Sequence, residues 1–300
     1  MIYTGPVYRP PFEADSLLVE VTSSCSHNAC TFCTMYKGEK FRMAPMKQIE
    51  DDLREARLLY RSSAKRIFLT GADPFVLSAN KLKAIAQMIN DIFPEVETIA
   101  MYASVKNVIG KTDEELKELR ALKINELNIG LESGMDEVLH HLNKGFTLEE
   151  ARTQLKRLNK AGIDFSINII LGAAGSEKWL ENAIANAKIL NELQPYLIFI
   201  ATLHIDAGSK LYDELKAGKF TENTLGQNLK EELEMLKRLE LKNTIFFGLH
   251  TSNVIPVNGT LPEDKNELIN YMEKGLTKIP EKILNSKPEK GYEGRAIIYE

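Results

Sequence analysis

Short β-prone runs alternate with helical spacings along the first two thirds of this chain, and that alternation limits the fold more than any other feature. Leu17 to Val21 is the first such run. Ile49, Leu53, Ala56 and Tyr60 follow at helical spacing with charges between them. Arg66 to Thr70 reads as a strand broken by Gly71, and Leu82, Ile85, Met88 and Ile89 mark a helix. Further strands are expected at Glu97 to Tyr102, Glu126 to Leu131, Asp164 to Leu171 and Leu197 to Leu203. Between them lie helices at Thr112 to Leu122, Thr147 to Ala161 and Ser176 to Leu193. Thr112 and Glu115 form a capping-box pattern. Six βα-like units call for a parallel sheet with right-handed crossovers. The alternation alone does not separate an open doubly wound sheet from a barrel.

Residues 206–300 have a different texture: two helical stretches, a short strand at Thr244 to Phe247, and a lysine-rich end. A net charge of −4 disfavours a long phosphate-binding surface, so nucleic acid is not an expected partner. No apolar run reaches bilayer-spanning length, and the N-terminus lacks a charged-then-apolar signal pattern. The expected location is cytoplasmic, without a membrane.

The chain has only three cysteines, Cys25, Cys30 and Cys33, all directly after the first strand. An odd, clustered set is a poor disulfide framework and a good set of metal ligands. Thiolates suit both zinc and iron–sulfur clusters. A structural zinc site takes four protein ligands, and the fourth here would be His27 or a distant residue. An iron–sulfur cluster held by three cysteines keeps one iron open for a cofactor or substrate. Spacing alone leaves both metals standing.

The segment Cys25-Ser-His-Asn-Ala-Cys30-Thr-Phe32-Cys33 resembles the signature of the radical S-adenosylmethionine (SAM) superfamily, C-x3-C-x-aromatic-C, with four residues instead of three in the first gap. The resemblance implies an incomplete (β/α)6 TIM-type barrel over residues 1–205, with a mixed, mainly helical C-terminal extension over 206–300 packed on it. It implies a [4Fe-4S] cluster on the three cysteines, with SAM on the open iron and Phe32 near its adenine. Gly71-Ala72-Asp73-Pro74 stands where the family often has G-G-E-P, whose backbone holds the methionine amino group; Ala72 and Asp73 depart from that pattern. By the same resemblance Glu132 and Ser133 belong to the SAM-binding region, and Lys144 pairs with the SAM carboxylate. Asn168 would meet the ribose, and Ile169, Leu171 and Gly172 would wall the adenine.

Tyr102, Ser104, Thr202 and His204 end the third and sixth strands and are candidates for a substrate pocket. His250 to Asn253, with Leu261 to Lys265, resembles a block of the group labelled oxygen-independent coproporphyrinogen oxidase-like or B12-dependent cyclase-like, here without a cobalamin domain. His250 and Asn253 join the pocket candidates, and the extension is expected to close the barrel mouth. The implied activity is reductive cleavage of SAM to a 5′-deoxyadenosyl radical. That radical would abstract hydrogen from an unidentified small-molecule substrate, with flavodoxin or ferredoxin as electron donor. The absence of further cysteines argues against methylthiotransferases and maturases, which carry extra clusters. The rival reading is a non-catalytic zinc-binding or regulatory barrel protein.

Overall fold

The computed structural model describes residues 1–60 and 64–288, so much of the lysine-rich end lies outside the described residues. Eight strands follow one another in chain order in a single, mainly parallel sheet. They are β1 (Leu17–Glu20), β2 (Arg66–Thr70), β3 (Thr98–Ala103), β4 (Ile124–Glu132), β5 (Asp164–Leu171), β6 (Leu197–Thr202), β7 (Thr244–Phe247) and β8 (Asn258–Leu261). Helices Met46–Tyr60, Ala79–Ile92, Asp113–Ala121, Leu148–Ala161 and Trp179–Leu193 occupy the crossovers. The expected capping box forms: Thr112 N donates to Glu115 (2.8 Å), and Glu115 N donates to the Thr112 hydroxyl (3.1 Å).

Large apolar side chains recur at alternate strand positions, while the other parity is partly buried as well. Ile67 and Leu69, Ile99 and Met101, Leu127 and Ile129, and Ile167 and Ile169 are all buried. These β-branched and long apolar residues share one side of their strands, which is the requirement for a sheet covered by helices. The opposite parity carries the polar groups, among them Thr70, Tyr102, Asn128, Glu132 and Asn168.

The chain divides into two compact units. The first comprises Met1–Asn28, Met35–Ile129 and Thr153–Phe165. In it β1 pairs in parallel with β2, β2 with β3, and β3 with β4. Its N-terminal arm is tied down by charge. Arg66 on β2 makes two hydrogen bonds to Glu13 (2.5 and 2.8 Å) and two to Glu126 on β4 (2.6 and 2.7 Å). The Glu13 side chain has no exposed surface, so its charge depends on Arg66.

The second unit comprises Ala29–Thr34, Gly130–Arg152 and Ser166 onward. Here β5 pairs in parallel with β6 and β6 with β7, while β8 returns antiparallel to β7. The extension was expected to close over a mouth; its described part instead prolongs the sheet by two strands. Helix Leu225–Arg238 lies along helix Trp179–Leu193, as the next helix of a βα series would. The physical reason is that β6, left as an edge, would expose a row of unpaired backbone groups, and β7 covers them.

Replacing Arg66 by methionine should lower the unfolding free energy by roughly 3–5 kcal/mol in urea titrations, because Glu13 is left buried and unpaired. Glu126→Gln should cost far less, about 1 kcal/mol, because Glu126 keeps contact with water.

Candidate functional site

All three cysteines are half-buried and none is in a disulfide. In the first unit the chain around Cys25 is fastened to the turn after β2. Ala72 N donates to Ser24 O (3.2 Å). The Asp73 carboxylate accepts from Ser26 N (3.0 Å) and from the Ser26 hydroxyl. Burial pushes the Asp73 carboxyl above its ordinary value, opposed by the hydrogen bonds from Ser26 and Asn107. Gly71, at φ +130°, lets this turn approach: a Cβ there would lie 1.9 Å from Thr22 Oγ1. Asp73 therefore spends its side chain on the cysteine loop, and the turn's backbone is partly engaged as well, with Val76 N on Asp73 O (2.9 Å) and Leu77 N on Pro74 O (3.1 Å).

Tyr102 packs edge-on against Phe68 at 5.3 Å between ring centroids, and burial raises its phenol pKa. Ser104 caps helix Val105–Ile109: its hydroxyl accepts from Asn107 N (3.3 Å), and its own N donates to Asn107 Oδ1 (2.8 Å).

In the second unit the Cys30–Cys33 segment is held from three sides. Thr31 N donates to Leu142 O (3.0 Å) and Leu211 N donates to Thr31 O (2.9 Å). Asn143 Nδ2 reaches Ala29 O (2.8 Å), and the Thr34 hydroxyl donates to Asp206 (3.0 Å). Phe32 packs on an apolar cluster that includes Ala173, Leu203, Ile205 and Phe220.

Glu132 ends β4 at φ +72°, a left-handed conformation that costs a non-glycine residue energy. That conformation accompanies a near-buried ion pair between Glu132 and Lys144 Nζ at 2.9 Å. Burial works against the Lys144 ammonium, but Glu132, with Cys30 and Cys33 beyond it, holds its pKa above the ordinary lysine value. Gly130 makes room for the pair, since a Cβ there would lie 2.2 Å from Glu132 Oε1. Lys144, expected to face a ligand carboxylate, thus already has a carboxylate partner within the protein.

Several candidates are spent on one another. The Ser133 hydroxyl donates to Asn182 Oδ1 (2.6 Å) and accepts from Met135 N (3.1 Å). Thr202 donates to Asn253 Oδ1 (3.0 Å), while Asn253 Nδ2 donates to Ile200 O (2.9 Å) and Gly248 O (3.0 Å). Asn253 thereby clamps the ends of β6 and β7. His204 Nε2 pairs with Asp206 at 2.8 Å, and Asp206 also receives Thr34 next to Cys33. His250 is half-buried; its Nδ1 accepts from Ser252 N (3.2 Å), and burial lowers its pKa.

On β5, Ile169 and Leu171 are 0 % and 1 % exposed and share one parity. Asn168 and Ile170, both half-buried, share the other parity, and Ile170 packs with the Phe32 cluster. Any wall built by β5 on that side belongs to Asn168 and Ile170. Sequence reasoning missed Ile170, although counting by two from Asn168 reaches it. It also missed Glu231, Glu232 and Asp206. Glu232 stands three residues after Leu229 on an apolar helical stripe, which was a legible signal.

Glu231 and Glu232 are both buried. Burial pushes the Glu231 carboxyl up to about 7, opposed by hydrogen bonds from Asn182, Gly172 and Asn223. Burial and then the neighbouring Glu231 push Glu232 up to about 8, and its Oε1 has no hydrogen-bond partner.

The profile of the radical SAM superfamily matches residues 19–187, more than half of the chain. This protein belongs to the radical SAM superfamily and is an enzyme of that class. Among curated relatives, the heme chaperone HemW of Bacillus subtilis (strain 168) is 25 % identical over 157 residues, covering 52 % of this chain and 41 % of HemW. The threonylcarbamoyladenosine tRNA methylthiotransferase MtaB of Thermotoga maritima is 25 % identical over 166 residues, covering 52 % of this chain and 37 % of MtaB. The matched part thus spans about two fifths of each relative. Among solved structures, coproporphyrinogen III oxidase (HemN) from Escherichia coli superposes with a TM-score of 0.52 at 17 % identity, covering 74 % of this chain and 50 % of HemN. That similarity shows a shared fold, the partial TIM-type barrel expected from the sequence.

The family's cofactors are a [4Fe-4S] cluster and SAM. The donor set fits: three half-buried cysteines, none of them in a disulfide. Among the described residues, no helix is long and apolar enough to cross a membrane.

Lys144→Met should destabilise the fold by roughly 3–5 kcal/mol in denaturant titrations by stranding Glu132. Adding Glu132→Gln should recover part of that loss, and a double-mutant cycle reads the coupling. A second expectation concerns pH. The folded state holds a proton on Glu232 up to about pH 8 that an unfolded chain releases near 4.5, so this group's contribution is greatest at low pH and falls as pH rises towards 8. Glu232→Gln should therefore gain stability relative to wild type between pH 5 and 8.5, on the order of 1 kcal/mol or more. A pH-independent difference would contradict this.

Proposed function

We propose that Cys25, Cys30 and Cys33 bind a [4Fe-4S] cluster and that the protein uses it to cleave SAM reductively, starting hydrogen abstraction from a small-molecule substrate. The observation that carries this reading is the set of three cysteines, none in a disulfide, in the loop after β1 of a chain of the radical SAM superfamily. When bound, the cluster supplies one electron to the sulfonium of SAM, breaking the S–C5′ bond to give methionine and the 5′-deoxyadenosyl radical.

The remaining roles fall to the protein's own groups. The thiolates of Cys25, Cys30 and Cys33 would hold the cluster and leave an open position for SAM. Asp73 holds the Ser26 backbone and hydroxyl, stiffening the loop beside Cys25. The backbone of Gly71 to Asp73 receives the methionine amino group. Glu132, paired with Lys144, accepts a hydrogen bond from SAM. Asn168 offers its amide to the ribose, and Phe32 and Ile170 exclude water from the adenine. His204, oriented by Asp206, is the polar side chain of the second unit assigned to the substrate. The electron comes from a low-potential donor such as flavodoxin or ferredoxin.

Anaerobic reconstitution tests the reading. About four irons and four sulfides per chain are expected, and dithionite-reduced protein with SAM should release 5′-deoxyadenosine. Cys30→Ala should abolish that release by removing one of three anchors. Stoichiometric zinc with no cluster, or undiminished release from Cys30→Ala, would refute it.

A further inference from the structure

We propose that Glu231, carried by helix Leu225–Arg238 of the C-terminal extension, is a positioning residue for the SAM-binding turns that follow β4 and β5. The inference rests on the SAM reading above and adds to it a part of the site that lies outside the region matched by the family.

Glu231 is 0 % exposed and, among the described residues, makes no ion pair. A carboxylate buried without a cation is costly unless hydrogen bonds take the place of water. Three do. Glu231 Oε2 accepts from Gly172 N (3.0 Å) and from Asn223 Nδ2 (2.8 Å), and Oε1 accepts from Asn182 Nδ2 (2.8 Å). Asn223 also donates to Asn228 Oδ1 (2.9 Å), one turn before Glu231. The chain of bonds then continues to the β4 end: Asn182 Oδ1 accepts from the Ser133 hydroxyl, and Ser133 Oγ accepts from Met135 N.

Once ionised, above about pH 7, Glu231 can only accept, and that property sets the direction of every bond in this chain. Asn182 must turn its NH2 towards Glu231 and its carbonyl towards Ser133. Ser133 must then donate its proton, which leaves its lone pairs for Met135 N. On the β5 side, Glu231 holds Gly172 N while Leu203 N donates to Leu171 O (2.9 Å), so the peptide at the strand end is fixed from both faces. Gly172 sits at φ +83°, and a Cβ there would lie 3.0 Å from Asn228 Oδ1, so the polar cluster and the turn fit each other closely. One carboxylate thus sets both turns. A leucine would fill the space at lower desolvation cost but would orient neither. Glu231 itself touches no reacting atom; it acts through Gly172 and Ser133.

The test uses anaerobically reconstituted full-length protein and compares wild type, Glu231→Ala, Glu231→Gln and Glu232→Gln. Iron content, SAM affinity by calorimetry, and the change in the EPR signal of the reduced cluster on adding SAM are measured for each. Glu231→Ala should retain wild-type iron yet bind SAM at least about tenfold more weakly, with a diminished EPR response. Glu231→Gln should fall between Ala and wild type, because its carbonyl oxygen can keep Gly172 N while its NH2 opposes that of Asn182. Glu232→Gln should stay within about twofold of wild type, since Glu232 bonds to neither turn. If Glu231→Ala does not fold, the Gln variant carries the test. SAM affinity within about threefold of wild type in both Glu231 variants would overturn the proposal. Loss of iron and SAM binding together, in the same proportion, would assign Glu231 to general stability and also overturn it. Wild-type protein that holds a full cluster but binds no SAM would instead defeat the functional reading on which the proposal rests.

Discussion

Parallel strand pairing governs the rest of this structure. Two parallel neighbours cannot be joined by a tight turn, so the chain must cross back through a helix before each new strand. Every strand paired in this way ends at the same edge as its neighbour. In the first unit that edge carries the turns at residues 71–74 and 102–104, after β2 and β3. In the second it carries Gly172 and residues 203–206, after β5 and β6. Polar side chains gather at such edges because the strand middles are packed under helices and only the ends reach water. The extension obeys the same constraint: β7 joins in parallel, and its companion helix Leu225–Arg238 lines up beside the preceding one.

The protein accommodates buried charge in three distinct ways. Arg66 is forked between Glu13 and Glu126, joining the N-terminal arm to two strands. Lys144 and Glu132 neutralise each other beside a glycine that leaves them room. Glu231 has no cation and is satisfied by backbone and amide donors, while Glu232 resists ionisation by keeping its proton. The first case serves attachment. The other two lie around the strand ends where the family's chemistry is located. Desolvated charges placed there, instead of in the strand middles, keep their fields focused on the strand-end loops.

Much of the candidate site was legible before the structure. The cysteine loop declared itself by residue type and spacing, and the order of strands and helices by periodicity; β2 and β5 have the bounds that the sequence suggests. Short elements escaped, such as helices Val105–Ile109 and Asp136–His141, because a turn or two of helix carries too little periodic signal. The polar candidates were found as residues but not as partners. Asp73 was read as part of a ligand turn, and it holds Ser26. Lys144 was read as a ligand contact, and it holds Glu132. Ile169 and Leu171 were read as a pocket wall, and the strand parity turns them into the core.

Local pattern determined what is local: the strand–helix alternation, the capping box at Thr112, the glycines at tight turns, and three thiols close enough in sequence to share one loop. Those features follow from interactions a few residues apart, which periodicity and spacing record directly. Tertiary structure alone decided how the polar groups are spent. Thr202 meets Asn253 across 51 residues, Asn182 meets Glu231 across 49, and Thr34 meets Asp206 across 172. A hydrogen bond or ion pair in a folded core depends on which side chains packing brings within about 3 Å, and no window along the chain contains that distance.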